Sequence, residues 1–156
     1  MTTETPQLND HNKAEYPPMH TVEHILNQTM GRMFGCPRSK NTHIERKKSK
    51  CDYILATCPT AEQIAAIEQQ VNQQIAAAMP VTVAFVTHEE AAKLVDMSKL
   101  PEDVSETIRL VFIGDYDVCA CVGTHVENTN QITGRFAITT HDYTDGIWRV
   151  RFKLVE

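Results

Sequence analysis

At 156 residues the chain is long enough for one domain with a core that needs no disulfide staples, which excludes a peptide scaffold. Hydrophobic residues make up 42% and charged residues 22%, and no run approaches the ~20 consecutive apolar residues that cross a bilayer, so the sequence reads as soluble. Fifteen Lys and Arg against twenty Asp and Glu give a net charge of −5, which repels polyphosphate overall and confines any nucleic-acid contact to local patches.

Residues 1 to 17 read as a mobile polar tail and residues 18 to 156 as a single domain. The start, Met1-Thr2-Thr3-Glu4-Thr5-Pro6-Gln7, has no basic run followed by an apolar one, so a cytoplasmic location is the expectation. The cysteines, Cys36, Cys51, Cys58, Cys119 and Cys121, are odd in number and irregularly spaced; they suggest no disulfide framework and leave metal binding open.

Val22, Ile25, Leu26, Met30 and Met33 recur near helical spacing, which predicts a helix from about 19 to 34, stopped by Gly35 and Pro37. A basic connection follows, with a hairpin expected in it. Arg38, Lys40, Arg46, Lys47, Lys48 and Lys50 face only Glu45, and a charged loop or guarded edge strand explains them as well as a phosphate track does.

Residues 51–57 read as a strand. Thr60-Ala61-Glu62-Gln63 fits a capping box that opens a helix over about 60–78, with Ile64, Ile67, Val71 and Ile75 as its apolar stripe. Pro80 ends it before a strand at 81–86, and Thr87-His88-Glu89-Glu90 opens a short helix to about Asp96. An acidic loop surrounds Pro101. Residues 108–113 read as a buried strand containing Arg109, and 114–117 as a turn. In the last strand Trp148, Val150, Phe152 and Leu154 alternate with Arg149, Arg151 and Lys153, giving a core face and a basic face. The order of elements predicts an α+β fold, a two-layer sandwich whose mainly antiparallel sheet carries helices on one side.

Two spacings carry chemistry. In His20-Thr21-Val22-Glu23-His24 the imidazoles lie four apart on one helix face, where both can reach one metal ion. Cys121-Val122-Gly123-Thr124-His125 sets a thiolate and an imidazole four apart. Each pair alone also describes ordinary residues: histidines near a helix start, or a buried cysteine beside a surface histidine. Together they form a borderline-soft set suited to zinc, Zn2+. Four bound ligands make a closed structural site, and a displaced one admits a water for hydrolysis.

This pairing resembles the editing domain shared by alanyl- and threonyl-tRNA synthetases and the free-standing AlaX proteins. The likeness extends to the opening helix at His20 to Leu26, to Ile67 to Ile75 followed by Pro80-Val81, and to Ile108 to Gly114 followed by Cys121 to Thr129. It covers roughly residues 18 to 155 and is nearest the short stand-alone AlaX type. The resemblance implies a deacylase acting in trans on misacylated tRNA, with serine on alanine tRNA as the expected target. It assigns the metal to His20, His24, Cys121 and His125. The chain departs from the family's glycines at Val122 and Asn130, and the family's glycine-serine pocket segment is not evident.

Within that frame Glu23 is a candidate proton acceptor or ligand-orienting group. Asp115 and Asp117 are placed to orient a ligand, meet the substrate amine or simply form the turn, and Thr124 to touch substrate or satisfy backbone amides. Arg38, Lys40, Arg46, Lys47, Lys48 and Lys50, with Arg149, Arg151 and Lys153, become candidate tracks for the tRNA acceptor end, with no DNA or membrane partner expected.

Other functions fit parts of the pattern. His-x-x-Glu-His also occurs in inverted zincin metalloproteases and in S-ribosylhomocysteine lyases. A non-catalytic RNA-binding module stapled by zinc, and a cysteine hydrolase using Cys119 or Cys121 with His125 as base, are the remaining alternatives.

Overall fold

The computed structural model describes residues 16–95 and 107–155. Most of the expected tail, the end of the short helix at Asp96 and the loop around Pro101 lie outside the described residues. Within them the fold is α+β, with two antiparallel sheets and three helices as a two-layer sandwich. No helix among the described residues is long and apolar enough to cross a membrane.

Helix α1 spans Pro17–Phe34, two residues earlier than its apolar spacing predicts. Pro17 and Pro18 start the helix and do not merely end the tail, because the first helical positions have no intrahelical use for an N–H and proline's φ already suits them. Gly35 closes the helix in the left-handed region, at φ 69°, with its N–H on the Gly31 carbonyl. One side of α1 buries Met19, Val22, Ile25, Leu26 and Met30. Thr29 is buried among them, and the other side buries Thr21, Glu23, His24 and Asn27, so the helix is wrapped on both sides and its polar groups must find partners inside the protein.

Strands β1 (Asn41–His43) and β2 (Ser49–Ile54) form the expected hairpin, and β2 begins two residues before the predicted strand. They belong to a four-stranded sheet in the order β1-β2-β7-β6, where β6 is Arg135–Thr144 and β7 is Ile147–Val155. Asp145 and Gly146, at φ 54° and 80°, make the two-residue turn that joins β6 to β7 with the twist a hairpin requires. Trp148, Val150 and Phe152 point into the core, as their alternation predicts. Helix α2 (Ala61–Ala76) lays Ile67, Val71 and Ile75 on the same core, opened by the capping box of Thr60 and Gln63.

The second sheet has the order β3-β4-β5, from Val81–Thr87, Thr107–Ile113 and Asp117–Ala120. Helix α3 (His88–Ala92), capped by Thr87 and Glu90, packs Ala91 against Ile108 and Leu110. After β5 the chain crosses to the start of β3, where the Glu127 carbonyl accepts from Val81 N and Asn128 bridges Pro80. This crossing segment, residues 121–128, comes down over α1.

Candidate metal centre

Helix α1 supplies His20 and His24, one turn apart, and the crossing segment after β5 supplies Cys121 and His125. One ligand atom from each lies within 4.8 Å of all the others. The Cys121 Sγ is 3.7 Å from His20 Nε2 and 3.5 Å from His125 Nε2. Ligands at about 2.3 Å (sulfur) and 2.0 Å (nitrogen) around a tetrahedral ion put sulfur and nitrogen about 3.5 Å apart, so the donor set fits zinc in both chemistry and spacing. The rings crowd together accordingly, His20 stacking on His125 at 4.2 Å between centroids and His24 meeting His125 edge-on at 4.4 Å.

Hydrogen bonding fixes which nitrogen two of these rings present. His20 Nδ1 lies 3.2 Å from the Thr124 carbonyl oxygen, which can only accept, so Nδ1 carries a proton and Nε2 is the nitrogen left for a metal when the ring is neutral. The Thr21 hydroxyl gives its single proton to the Pro17 carbonyl at 3.1 Å. It must therefore accept from His125 Nδ1 at 3.0 Å, as it does from Val126 N at 3.3 Å, and His125 Nε2 is unprotonated too. His24 is different. Its Nδ1 is buried with no hydrogen-bond partner, 3.7 Å from Asp117 Oδ2.

Burial drives the His24 pKa well below its ordinary value, and repulsion from His125 and His20 in their protonated forms and from Arg38 and Arg109 acts in the same direction. Burial, then His20 and Arg109, lowers His125 to about 3. Both rings are neutral at physiological pH, the state in which imidazole donates to a metal. On the thiol side Gly123 N donates to Cys121 Sγ at 3.3 Å. Arg109 braces the segment from below, its Nη1 donating to the carbonyls of Cys121 at 2.6 Å and Gly123 at 3.0 Å.

Glu23 is the buried carboxylate beside this cluster. Its Oε1 stands 3.6 Å from His20 Nε2 and 3.9 Å from His24 Nε2. Asn27 Nδ2 holds the other oxygen at 2.6 Å, while Asn27 Oδ1 accepts from Ser39 N and the Tyr53 hydroxyl, so the amide is locked and Glu23 with it. Burial raises the Glu23 pKa, opposed by His20, Arg38 and the Asn27 hydrogen bond. The same carboxylate lines a cavity of about 470 Å³ whose walls include Gln28, Arg38, Val118, Cys119 and Ala120.

The other expected residues separate. Asp115 is exposed in its turn, and Thr124 turns its side chain outward while its carbonyl serves His20. Burial pushes the Cys119 thiol up to about 12, the reverse of what a nucleophile needs. Arg38 turns inward onto Asp117, Arg149 pairs with Asp52 at 2.8 Å and Arg151 with Asp142 at 3.1 Å. Lys40, Arg46, Lys47, Lys48 and Lys153 stay exposed, and Lys47, Lys48, Lys50 and Arg151 line a groove of about 370 Å³ beside His43. Sequence reasoning missed Thr21, Gln28, Asn27 and the bracing role of Arg109. A charged residue inside an apolar strand was the one signal available, and it pointed to Arg109.

Residues 108–151, which include Cys121 and His125, match the family described as the threonyl and alanyl tRNA synthetase second additional domain. The chain is 32% identical over 134 residues to the alanine–tRNA ligase of Mycoplasmoides gallisepticum, covering 84% of this chain and 15% of that protein. It is 33% identical over 122 residues to the Coxiella burnetii alanine–tRNA ligase and 33% over 126 residues to that of Latilactobacillus sakei, in each case covering 78% of this chain and 14% of the relative. The likeness therefore takes in most of this chain and only a small part of the length of these relatives.

Proposed function

We propose that this chain is an aminoacyl-tRNA deacylase of the editing type, acting in trans as AlaX-type proteins do, and that serine carried by alanine tRNA is its substrate. The single observation that carries the reading is the convergence of His20, His24, Cys121 and His125 on one point in a chain similar to alanine–tRNA ligases. A zinc ion held by those four residues would supply a Lewis acid beside the ester carbonyl. Glu23, locked by Asn27, accepts a proton from the attacking water through Oε1. Water adds to the carbonyl carbon, the ester C–O bond breaks, and the proton passes to the departing ribose hydroxyl. The cavity beside Glu23 receives the amino-acid side chain, and Cys119, Ala120 and Val118 give it a mixed apolar wall.

The acceptor end docks on the exposed lysines of the β1–β2 hairpin, Lys47 and Lys48, with Lys40, Arg46, Lys50 and Lys153 around them. An acidic protein with so small a basic patch binds RNA weakly and with strong salt dependence. The five free cysteines suit a reducing compartment such as the cytoplasm.

Four protein donors also suit a closed structural ion, which favours a second reading, a zinc-stapled RNA-binding module. Purified protein assayed on serine-, glycine- and alanine-charged alanine tRNA, before and after chelation, separates the two. Serine release that chelation abolishes supports the deacylase; inertness on every charged tRNA by zinc-loaded protein supports the module.

A further inference from the structure

Two of the three imidazoles have their outer nitrogen satisfied, by the Thr124 carbonyl and the Thr21 hydroxyl. The third, His24 Nδ1, is buried without a hydrogen-bond partner and faces Asp117. Asp117 is not an ordinary turn aspartate. Asp115, two residues earlier, is exposed, whereas the Asp117 side chain is wholly buried at the start of β5. Gln28 Nε2 and Arg38 Nη1 both donate to its Oδ1 at 2.8 Å, and Arg38 Nη2 donates to Oδ2 at 3.2 Å. Oδ1 thus takes two donors and Oδ2 one, and Oδ2 is the oxygen that stands 3.7 Å from His24 Nδ1.

We propose that Asp117 is the positioning residue for His24, accepting its Nδ1–H so that Nε2 is presented to the metal, and that Arg38 and Gln28 exist to aim Asp117. The 3.7 Å separation exceeds a hydrogen bond, so ring and carboxylate draw together when the bond forms. All three histidines then carry the proton on Nδ1 and offer the same nitrogen. One short strand delivers both controls, the carboxylate at its first residue and the thiolate one residue past its end. The Arg38 guanidinium, which sequence reasoning set aside for RNA, becomes part of the metal centre's support. The inference rests on the metal reading of the cluster and not on hydrolysis.

The test needs no substrate. In ¹⁵N-labelled metal-free protein, long-range imidazole correlation spectra report which ring nitrogen of His24 is protonated, and Nδ1 is expected. Asp117→Asn, titrated with zinc against a chromophoric chelator, should bind about 10- to 100-fold more weakly than the parent, and its cobalt absorption spectrum should shift. Should Asp117→Asn fail to fold, Arg38→Lys keeps the charge but loses the fork, and a loss of zinc affinity at unchanged melting temperature is expected. A parent His24 protonated on Nε2, or folded Asp117→Asn and Arg38→Lys proteins that both bind zinc within about twofold of the parent, overturns the proposal. A parent that binds zinc with Nδ1 protonated yet hydrolyses no charged tRNA overturns the deacylase and leaves Asp117's role standing.

Discussion

Arg38 and Asp117, 79 residues apart in the chain, meet through two near-parallel contacts of 2.8 and 3.2 Å on a carboxylate that solvent does not reach. Burial works against the Arg38 charge and Asp117 outweighs it, so the arginine pKa moves upward. Arg38→Ala strands a buried carboxylate. The expected loss is about 2–3 kcal/mol, below the range for a fully buried pair because Arg38 keeps 30% of its side-chain surface exposed. Urea unfolding of the zinc-loaded protein checks it.

Cys121→Ala should remove the metal as well as any hydrolysis, because the remaining imidazoles lose the one anionic donor and with it the charge match to a dication. Zinc content per chain after exhaustive dialysis is the measurement. A variant that retains a full equivalent would refute the ligand assignment.

Thr21→Val keeps the shape of the side chain and deletes the hydroxyl that accepts from His125 Nδ1 and Val126 N. Losing such an outer partner typically weakens metal binding about 10- to 100-fold. Chelator competition at fixed pH reads the change. The same variant leaves the Pro17 carbonyl without the threonine's proton, so a modest fall in thermal stability should accompany it.

The metal-free protein should lose stability on the acid side of neutrality. A histidine whose pKa is lowered on folding binds protons more readily when unfolded, so its contribution is complete above 6.5 and is lost as the pH falls towards about 3. His24 moves in the same direction. Each group adds a slope of up to about 1.4 kcal/mol per pH unit. Urea midpoints of chelated protein across that window test the sign, and His125→Asn should flatten the curve.

Lys47→Glu with Lys48→Glu should weaken binding of an RNA acceptor stem and reduce the slope of affinity against salt by about one unit for each phosphate that the lysines neutralise. Arg149→Ala is the contrast. Its guanidinium holds the Asp52 carboxyl below its ordinary value through direct hydrogen bonds, so the substitution should leave RNA affinity nearly unchanged. Fluorescence anisotropy with a labelled stem at several salt concentrations distinguishes the two.

The elements that sequence alone revealed were those with a strong period or a chemical stop. Thr60 with Gln63, Thr87 with Glu90, and the Trp148–Val150–Phe152 alternation each state their structure locally. Strands β5 and β6 did not, and both lie at sheet edges. β5 is four residues long, and much of β6, from Thr139 to Asp142, is exposed on both faces, so neither shows an alternation of apolar and polar residues. In the candidate metal centre the four clustered side chains, His20, His24, Cys121 and His125, were legible from their spacing. Their supports were not, because Thr21, Asn27, Gln28 and Arg38 act through contacts that span up to 105 residues and leave no local pattern.

The contacts that join helix α1 to the crossing segment tie positions more than a hundred residues apart. An ion gripped from both sides would act on the unfolded chain as a crosslink does, shutting a very long loop, and such a closure is worth about 4–5 kcal/mol in the chain-entropy picture. Chelation should then loosen the whole scaffold before it silences any chemistry, making metal supply a gate on the protein's lifetime in the cell.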